Sequence, residues 1–238
     1  MMHEKTITAV QQILNPRKPL IAIKVWKEIP EGIPAYEDKA FPGTCAQIGE
    51  VIETGKTFYI RPKNVYCTGG VLATGILKPP SEKQSRSMIE MHLEMTKDYL
   101  DVDTAMHKRK EMLKEIPHPK NKNKAAQIGL LKDLEQPDIV ILFCTPKAAD
   151  VISRAYAYRA GEPIKGFGAT GGCNVAIQYP YVFKKPVFTY SDVAWRKFVR
   201  MSDDELTVSF PYESLATTVG DLPMVAEHYE HYAEGMDL

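Results

Sequence analysis

Four cysteines, Cys45, Cys67, Cys144 and Cys173, are the residues of this 238-residue chain best suited to chemistry. No two of them form a Cys-x-x-Cys pair, so the spacing excludes a zinc ribbon and a ferredoxin-type cluster loop. Ligands dispersed in sequence can still converge in space. Cys45 follows Thr44, a candidate helix N-cap, and the start of a helix favours thiolate. Cys67 precedes Thr68-Gly69-Gly70, and Cys173 follows Thr170-Gly171-Gly172. Each therefore adjoins flexible backbone whose N–H groups can point at sulfur, and iron–sulfur clusters use both thiolates and such donors. Cys144 ends an apolar run and reads as a small buried hydrophobe. Four inert, buried thiols are the plain alternative.

Other motifs carry less. Gly49 to Thr57 imitates a phosphate-binding loop, but five residues separate Gly49 from Gly55, and the turn runs from helix to strand. No helix start then faces a phosphate, and the motif is rejected. Gly166-Phe167-Gly168-Ala169-Thr170-Gly171 fits G-x-G-x-x-G, with Asp192 about 20 residues beyond Gly171 as the ribose acid. A very short strand before it, and Pro180 after it, which leaves little room for a packing helix, weaken that reading. His228 and His231 lie three apart among Glu227, Glu230 and Glu234, a pattern better explained by an exposed terminal helix. Neither a nucleophile elbow nor an HExxH motif is present.

Composition sets wider bounds. The chain is 44% hydrophobic, which suffices for a substantial core, and its 30 basic residues balance 30 acidic ones. Zero net charge argues against a broad electrostatic footprint for nucleic acid or an anionic membrane. No apolar run approaches the roughly 18 residues that span a bilayer, and residues 1–14 lack the apolar centre of a secretory leader. A cytoplasmic protein with reduced thiols is the expectation.

The elements that must position the cysteines follow from periodicity. Residues 3–14 read as an amphipathic helix, and Leu20–Trp26 as a buried strand. Thr44 caps a helix with Ile48, Val51 and Ile52 inside, ended by Gly55, and Thr57–Tyr66 is a second strand. Residues 84–116 are helical, with Met88, Met91, His92 and Met95 on one face as adaptable core packing. Beyond a Lys/Asn-rich loop come a strand at Ile139–Phe143, a helix from Pro146 to Gly161 and a strand at Ile164–Phe167. Val187–Tyr190 and Leu206–Phe210 read as strands, Ala194–Met201 as a short helix, and the tail after Gly220 as a last helix.

This is an α/β pattern in one domain, 1–238, of two similar strand–helix–strand halves. Half-repeats at about 19–77 and 137–181 are joined by the helical segment 84–116. Pro19-Leu20-Ile21 answers Pro137-Asp138-Ile139, and Cys67-Thr68-Gly69-Gly70 answers Thr170-Gly171-Gly172-Cys173. An internal duplication about a pseudo-twofold axis would bring both Gly-Gly turns to one site. Chance matching of short apolar motifs is the competing explanation.

The order of these segments resembles the ArCR family, domain of unknown function 169. The likeness is carried by Pro19–Lys24, by CAQIGEVIETGKTFYI (Cys45–Ile60), by CTGGVLATGIL (Cys67–Leu77), by Pro137–Ile141, by CNVAIQYPY (Cys173–Tyr181), and by Asp203–Leu206 with Pro211. It implies a prokaryotic cytoplasmic protein, often from anaerobes, and supplies no reaction. Cys45, Cys67 and Cys173 fall on the family pattern, whereas Cys144 does not.

The resulting expectation is an iron–sulfur cluster held by Cys45, Cys67 and Cys173, with Thr68, Gly69, Gly70, Gly171 and Gly172 as backbone donors around it. Three thiolates on a four-iron cluster leave one iron open for Lewis-acid or redox work on a small molecule; Cys144 as a fourth would close it for electron transfer. A small-molecule substrate or a redox partner protein is expected, not nucleic acid or membrane, and self-association as a homo-oligomer is allowed. One rival is a nucleotide or small-molecule binding protein using Gly166, Gly168, Gly171 and Asp192. Another is a thiol enzyme with Cys45 or Cys67 as nucleophile.

Overall fold

The computed structural model describes residues 2–37, 43–120, 122–169 and 171–235, so Thr170 lies outside the described residues, as does the side chain of Met95. Seven strands form one mixed sheet: β1 (Ile21–Trp26), β2 (Phe58–Ile60), β3 (Ala125–Leu130), β4 (Ile139–Cys144), β5 (Lys165–Phe167), β6 (Val187–Thr189) and β7 (Leu206–Pro211). Their spatial order is β2-β3-β1-β4-β7-β6-β5. Neighbours run antiparallel except β5, which lies parallel to β6 at one edge. The helices are α1 (Met2–Leu14), α2 (Thr44–Thr54), α3 (Gly69–Ala73), α4 (Glu82–Met95), α5 (Val102–Glu115), α6 (Pro146–Ala160), α7 (Tyr179–Phe183), α8 (Val193–Val199) and α9 (Tyr212–Glu234). A π-helical turn, Asn174–Gln178, leads into α7. The α/β class expected from the sequence is therefore the observed one.

Central strands buried on both faces need apolar residues at every position, and β4 (IVILFC) is buried throughout. Its alternation divides the core in two. Val140, Leu142 and Cys144 face a layer made by Val10 of α1, Ile152 and Ala155 of α6, and Leu215 and Leu222 of α9. Ile139, Ile141 and Phe143 face the other layer, made by Ile48 and Val51 of α2, Val71 of α3, Ile177 of the π turn, and Trp195 and Val199 of α8. The result is a sheet sandwiched between two helical layers.

The repeat expectation fares unevenly. The two Gly-Gly turns do meet, as described below. A two-fold axis relating antiparallel neighbours such as β1 and β4 runs perpendicular to the sheet, and it would leave their following helices on the same face. Yet α2 and α6 pack on opposite faces. The pair is not related by such an axis.

Several local expectations also shift. The strand β3 (AAQIGL) carries little β-branched or aromatic signal, yet β1 and β2 pair with it on both edges. Position 129 requires glycine, because a Cβ there would lie 2.4 Å from Thr57 Oγ1 and 2.5 Å from Leu134 Cδ1. Long-range pairing overrides a weak intrinsic preference. The helical segment 84–116 is two helices, α4 and α5, each with its own cap, from Ser81 and Asp101. The methionine face expected in a core is not there, since Met88 and Met91 are exposed. Helix α9 starts eight residues before Gly220 and runs through Pro223. Gly43, not Thr44, is the N-cap of α2.

Candidate functional site

The helical layer that faces Ile139, Ile141 and Phe143 holds three cysteines, each at the start of a helical segment. Cys45 is the second residue of α2. Cys67 directly precedes Thr68, the N-cap of α3. Cys173 is the N-cap of the π turn that runs into α7. The three meet in the folded chain. A methyl group on Gly69 would lie 3.7 Å from the sulfurs of both Cys67 and Cys173, so these sulfurs are no more than twice that distance apart. A methyl group on Gly43 would lie 3.5 Å from Cys45 Sγ and 3.4 Å from Cys67 Cβ. Positions 43 and 69 thus lie in van der Waals reach of all three cysteines, with room for a single methyl group at each.

The neighbouring glycines have steric work. At Gly70 a Cβ would lie 1.9 Å from Thr44 Oγ1, so its absence lets the start of α3 sit directly on the start of α2. Thr44 Oγ1 is buried there without a hydrogen-bond partner. At Gly172 a Cβ would run into the Trp195 ring, 2.7 Å away. The Gly172 N–H does not point at sulfur: it donates to Asp192 Oδ2 at 2.6 Å. The carbonyl of Gly171 accepts from Asn174 N–H at 3.1 Å, closing the turn behind Cys173. Thr68 carries no side-chain cap bond, and its carbonyl accepts from Leu72 N–H.

Electrostatics reverse one expectation. The helix start does favour thiolate at Cys45, through nearby backbone N–H groups, but desolvation is the larger effect. Burial pushes the Cys45 thiol up to about 12, with the charges of Cys67 and Asp192 adding to it. Cys173 is likewise held well above the ordinary thiol value, by burial first and then by Cys67, Cys45 and Asp192. These mutual effects reflect how close the three sulfurs and one carboxylate stand. Cys67 alone among the three is exposed. Iodoacetamide at pH 8 is therefore expected to label Cys67 first in the native protein. Labelling of Cys45 should rise about tenfold per pH unit, following its thiolate fraction; mass spectrometry of the modified peptides reads the order. Cys45 labelling ahead of Cys67 at pH 8 would contradict the burial argument.

Cys144 stands apart. The strand alternation that sends Phe143 toward the three thiols sends Cys144 to the opposite face of the sheet, among the α1, α6 and α9 residues. It is 1% exposed, and burial, then Glu205, pushes its thiol up to about 12.

Asp192 is the residue whose place sequence reasoning assigned to another role. It caps α8, accepting from Trp195 N–H at 2.7 Å with Oδ1 while Oδ2 takes Gly172 N–H. Both oxygens thus serve backbone amides and tie α8 to the turn carrying Cys173. A ribose would have to compete with them. The strand before the glycine motif, β5, is three residues at the sheet edge, and Gly166 is filled by Phe188, whose ring would lie 2.1 Å from a Cβ. These features do not favour a dinucleotide there. A signal for the Asp192 cap exists in the sequence, since Asp before an apolar helical run is a standard N-cap.

Among the described residues, no group of three or more His, Cys, Asp or Glu side chains stands arranged to hold a single metal ion. For one tetrahedral ion at a metal–sulfur distance of about 2.3 Å, sulfurs must close to roughly 4 Å of one another. No described helix is long and apolar enough to cross a membrane.

Comparison with known proteins identifies relatives without assigning a reaction. An uncharacterised protein of Methanocaldococcus jannaschii, MJ0308, is 25% identical over 226 residues, covering 92% of this chain and 91% of that protein. No solved structure matches. The profile of the uncharacterised ArCR family matches residues 9–221. With most of its length matched, the chain belongs to the ArCR family, domain of unknown function 169.

Proposed function

We propose that this protein binds an iron–sulfur cluster through Cys45, Cys67 and Cys173 and uses it on a small-molecule substrate or with a redox partner protein. The observation that carries the reading is the meeting of three cysteines, separated by up to 128 positions in sequence, around Gly43 and Gly69. A cluster held by three thiolates supplies an iron open to substrate or a site for one-electron transfer.

The donor set suits a positively charged group. Thiol ligands must lose their protons to bind metal, and at Cys45 and Cys173 burial and nearby negative charge oppose that loss. A cationic centre among the sulfurs reverses the balance, because each thiolate then gains a counter-charge in a low-dielectric site. The starts of α2 and of the helical run after Gly172 add their positive ends. By contrast, an activated nucleophile needs a lowered pKa, and the Cys45 thiol has moved the other way.

The chain's own residues have definable parts. Gly70 and Thr44 lock α3 against α2, fixing Cys67 relative to Cys45. Asp192 holds the turn that carries Cys173. Exposure at Cys67 leaves one side of the site accessible to a partner or substrate.

Purification under strict anoxia, followed by a visible spectrum and iron and sulfide analysis, tests this. Broad absorbance at about 400 nm with stoichiometric iron and acid-labile sulfide is the expected result. A colourless, iron-free and folded protein that also fails anoxic reconstitution with ferrous iron and sulfide would overturn it.

A further inference from the structure

A second site stands outside the thiol region, in the cleft between the paired helices α4 and α5 and the segment after them. The cleft has a volume of about 210 Å³ and is walled by Pro80, Met106 and Leu113. Three basic side chains line it: Arg109, Lys110 and His118. Lys110 has a partner, since its Nζ lies 3.3 Å from Glu82 Oε1 at the exposed rim. Arg109 has none: its partly exposed side chain forms no hydrogen bond or ion pair among the described residues. Both ring nitrogens of His118 are buried without a hydrogen-bond partner among the described residues.

The unmet need lies at the buried ring of His118, beside a partly exposed and unpaired arginine. A buried donor without a partner costs roughly 1–3 kcal/mol, and native proteins keep such groups rare unless a ligand, ion or water satisfies them. Burial holds Arg109 below the ordinary arginine value, with no acidic group offsetting it. Burial also draws His118 down, and the Arg109 charge adds to that effect. The one carboxylate lining the cleft, Glu82, already faces Lys110, so the uncompensated charge is that of Arg109.

We propose that this cleft binds the oxyanion group, a carboxylate or a phosphate, of a small molecule, with the Arg109 guanidinium as its fork-shaped anchor and His118 as a further donor. The planar guanidinium can give two parallel N–H···O bonds to either group, which a lysine cannot do. The apolar wall lowers the local dielectric on one side of the charge, which strengthens the contact. The volume suits an anionic group with a short carbon skeleton, and is below that of pockets which enclose drug-sized molecules.

The cleft is joined to the thiol layer. Gln178, in the π turn after Cys173, donates from Nε2 to the carbonyls of Ile116 and Pro117, both at 3.0 Å, immediately before His118. The proposal nonetheless does not depend on a cluster, and its test reads the cleft alone.

Isothermal titration calorimetry of the full chain at low ionic strength, with inorganic phosphate in one series and acetate and succinate in another, is the measurement. Saturable binding in at least one series is expected, and the preferred series identifies the headgroup. Arg109→Gln should weaken that binding about tenfold or more, Arg109→Lys should weaken it less, and Lys110→Gln should change it by under about threefold. Circular dichroism establishes that each variant is folded; if Arg109→Gln is not, the comparison rests on Arg109→Lys against Lys110→Gln. No saturable binding up to 10-fold above about 1 mM ligand, or equal weakening by the Arg109 and Lys110 substitutions, would overturn the assignment.

Discussion

Gly49→Ala is expected to destabilise the protein by about 3 kcal/mol, the upper part of the range for overpacking a tight contact. Helix α2 crosses α8 so closely that a Cβ at position 49 would lie 2.2 Å from the carbonyl oxygen of Phe198 and 3.1 Å from its carbonyl carbon. Those are backbone atoms, and no side-chain rotation can relieve the clash. One helix must move away from the other, opening the packing of Ile48 and Val51 against Trp195 and Val199. Helix propensity works in the opposite direction, because alanine inside a helix is favoured over glycine by up to about 1 kcal/mol. The steric term wins. Gly220→Ala is the control: it too lies within a helix, and nothing stands within 4 Å of its added Cβ. That variant should gain about 0.5–1 kcal/mol. Urea denaturation of both reads opposite signs; a Gly49→Ala variant as stable as the parent would mean that the α2–α8 contact is looser than described. The displacement should also reach the site, since α2 carries Cys45 and α8 is capped by Asp192.

The second large effect concerns the thiols. In protein prepared without oxygen, Cys45→Ala, Cys67→Ala and Cys173→Ala are each expected to lose most of the bound iron and the absorbance at about 400 nm. Cys144→Ala should keep both. The division follows from strand geometry rather than from distance along the chain: successive residues of β4 point to opposite faces, and Cys144 falls on the face away from the other three. Its removal should cost only a small-cavity penalty of about 1 kcal/mol, visible in urea and silent in the spectrum. Iron retained in all four variants, or lost from a folded Cys144→Ala variant, would reject the three-thiol site.

Some of this architecture can be read directly from residue pattern. A run such as IVILFC, too apolar for a one-sided strand and too short for a typical helix, has few options but a strand buried on both faces. Pro146 at the start and Gly161 at the end of α6 mark that helix, as Gly55 marks the end of α2. The strand β3 gives no such signal, because Ala, Gln and Gly are strand residues only when neighbours on both sides supply the ladder. The methionine face of α4 fails for a related reason. Helical spacing states which residues share a face, while the presence of another element over that face is a property of the whole fold, and here Met88 and Met91 meet solvent.

The candidate site divides along the same line. Local sequence suffices to find the three cysteines, because each sits next to a helix start or a glycine turn, and to separate them from Cys144 at the end of an apolar strand. It could not tell that burial would outweigh the helix start at Cys45, since desolvation is summed over atoms that the chain brings in from distant positions. Nor could it place Asp192 on Gly172 N–H, a contact between residues 20 apart. Thus the sequence by itself determined the α/β class, the ends of the strongest elements and the identity of the thiols. The tertiary structure alone decided which thiols share a face, how far their protons are held, and which glycines are obligatory. Faces, burial and close approaches depend on strand pairing and helix crossing over long separations, and no local pattern of residues encodes those.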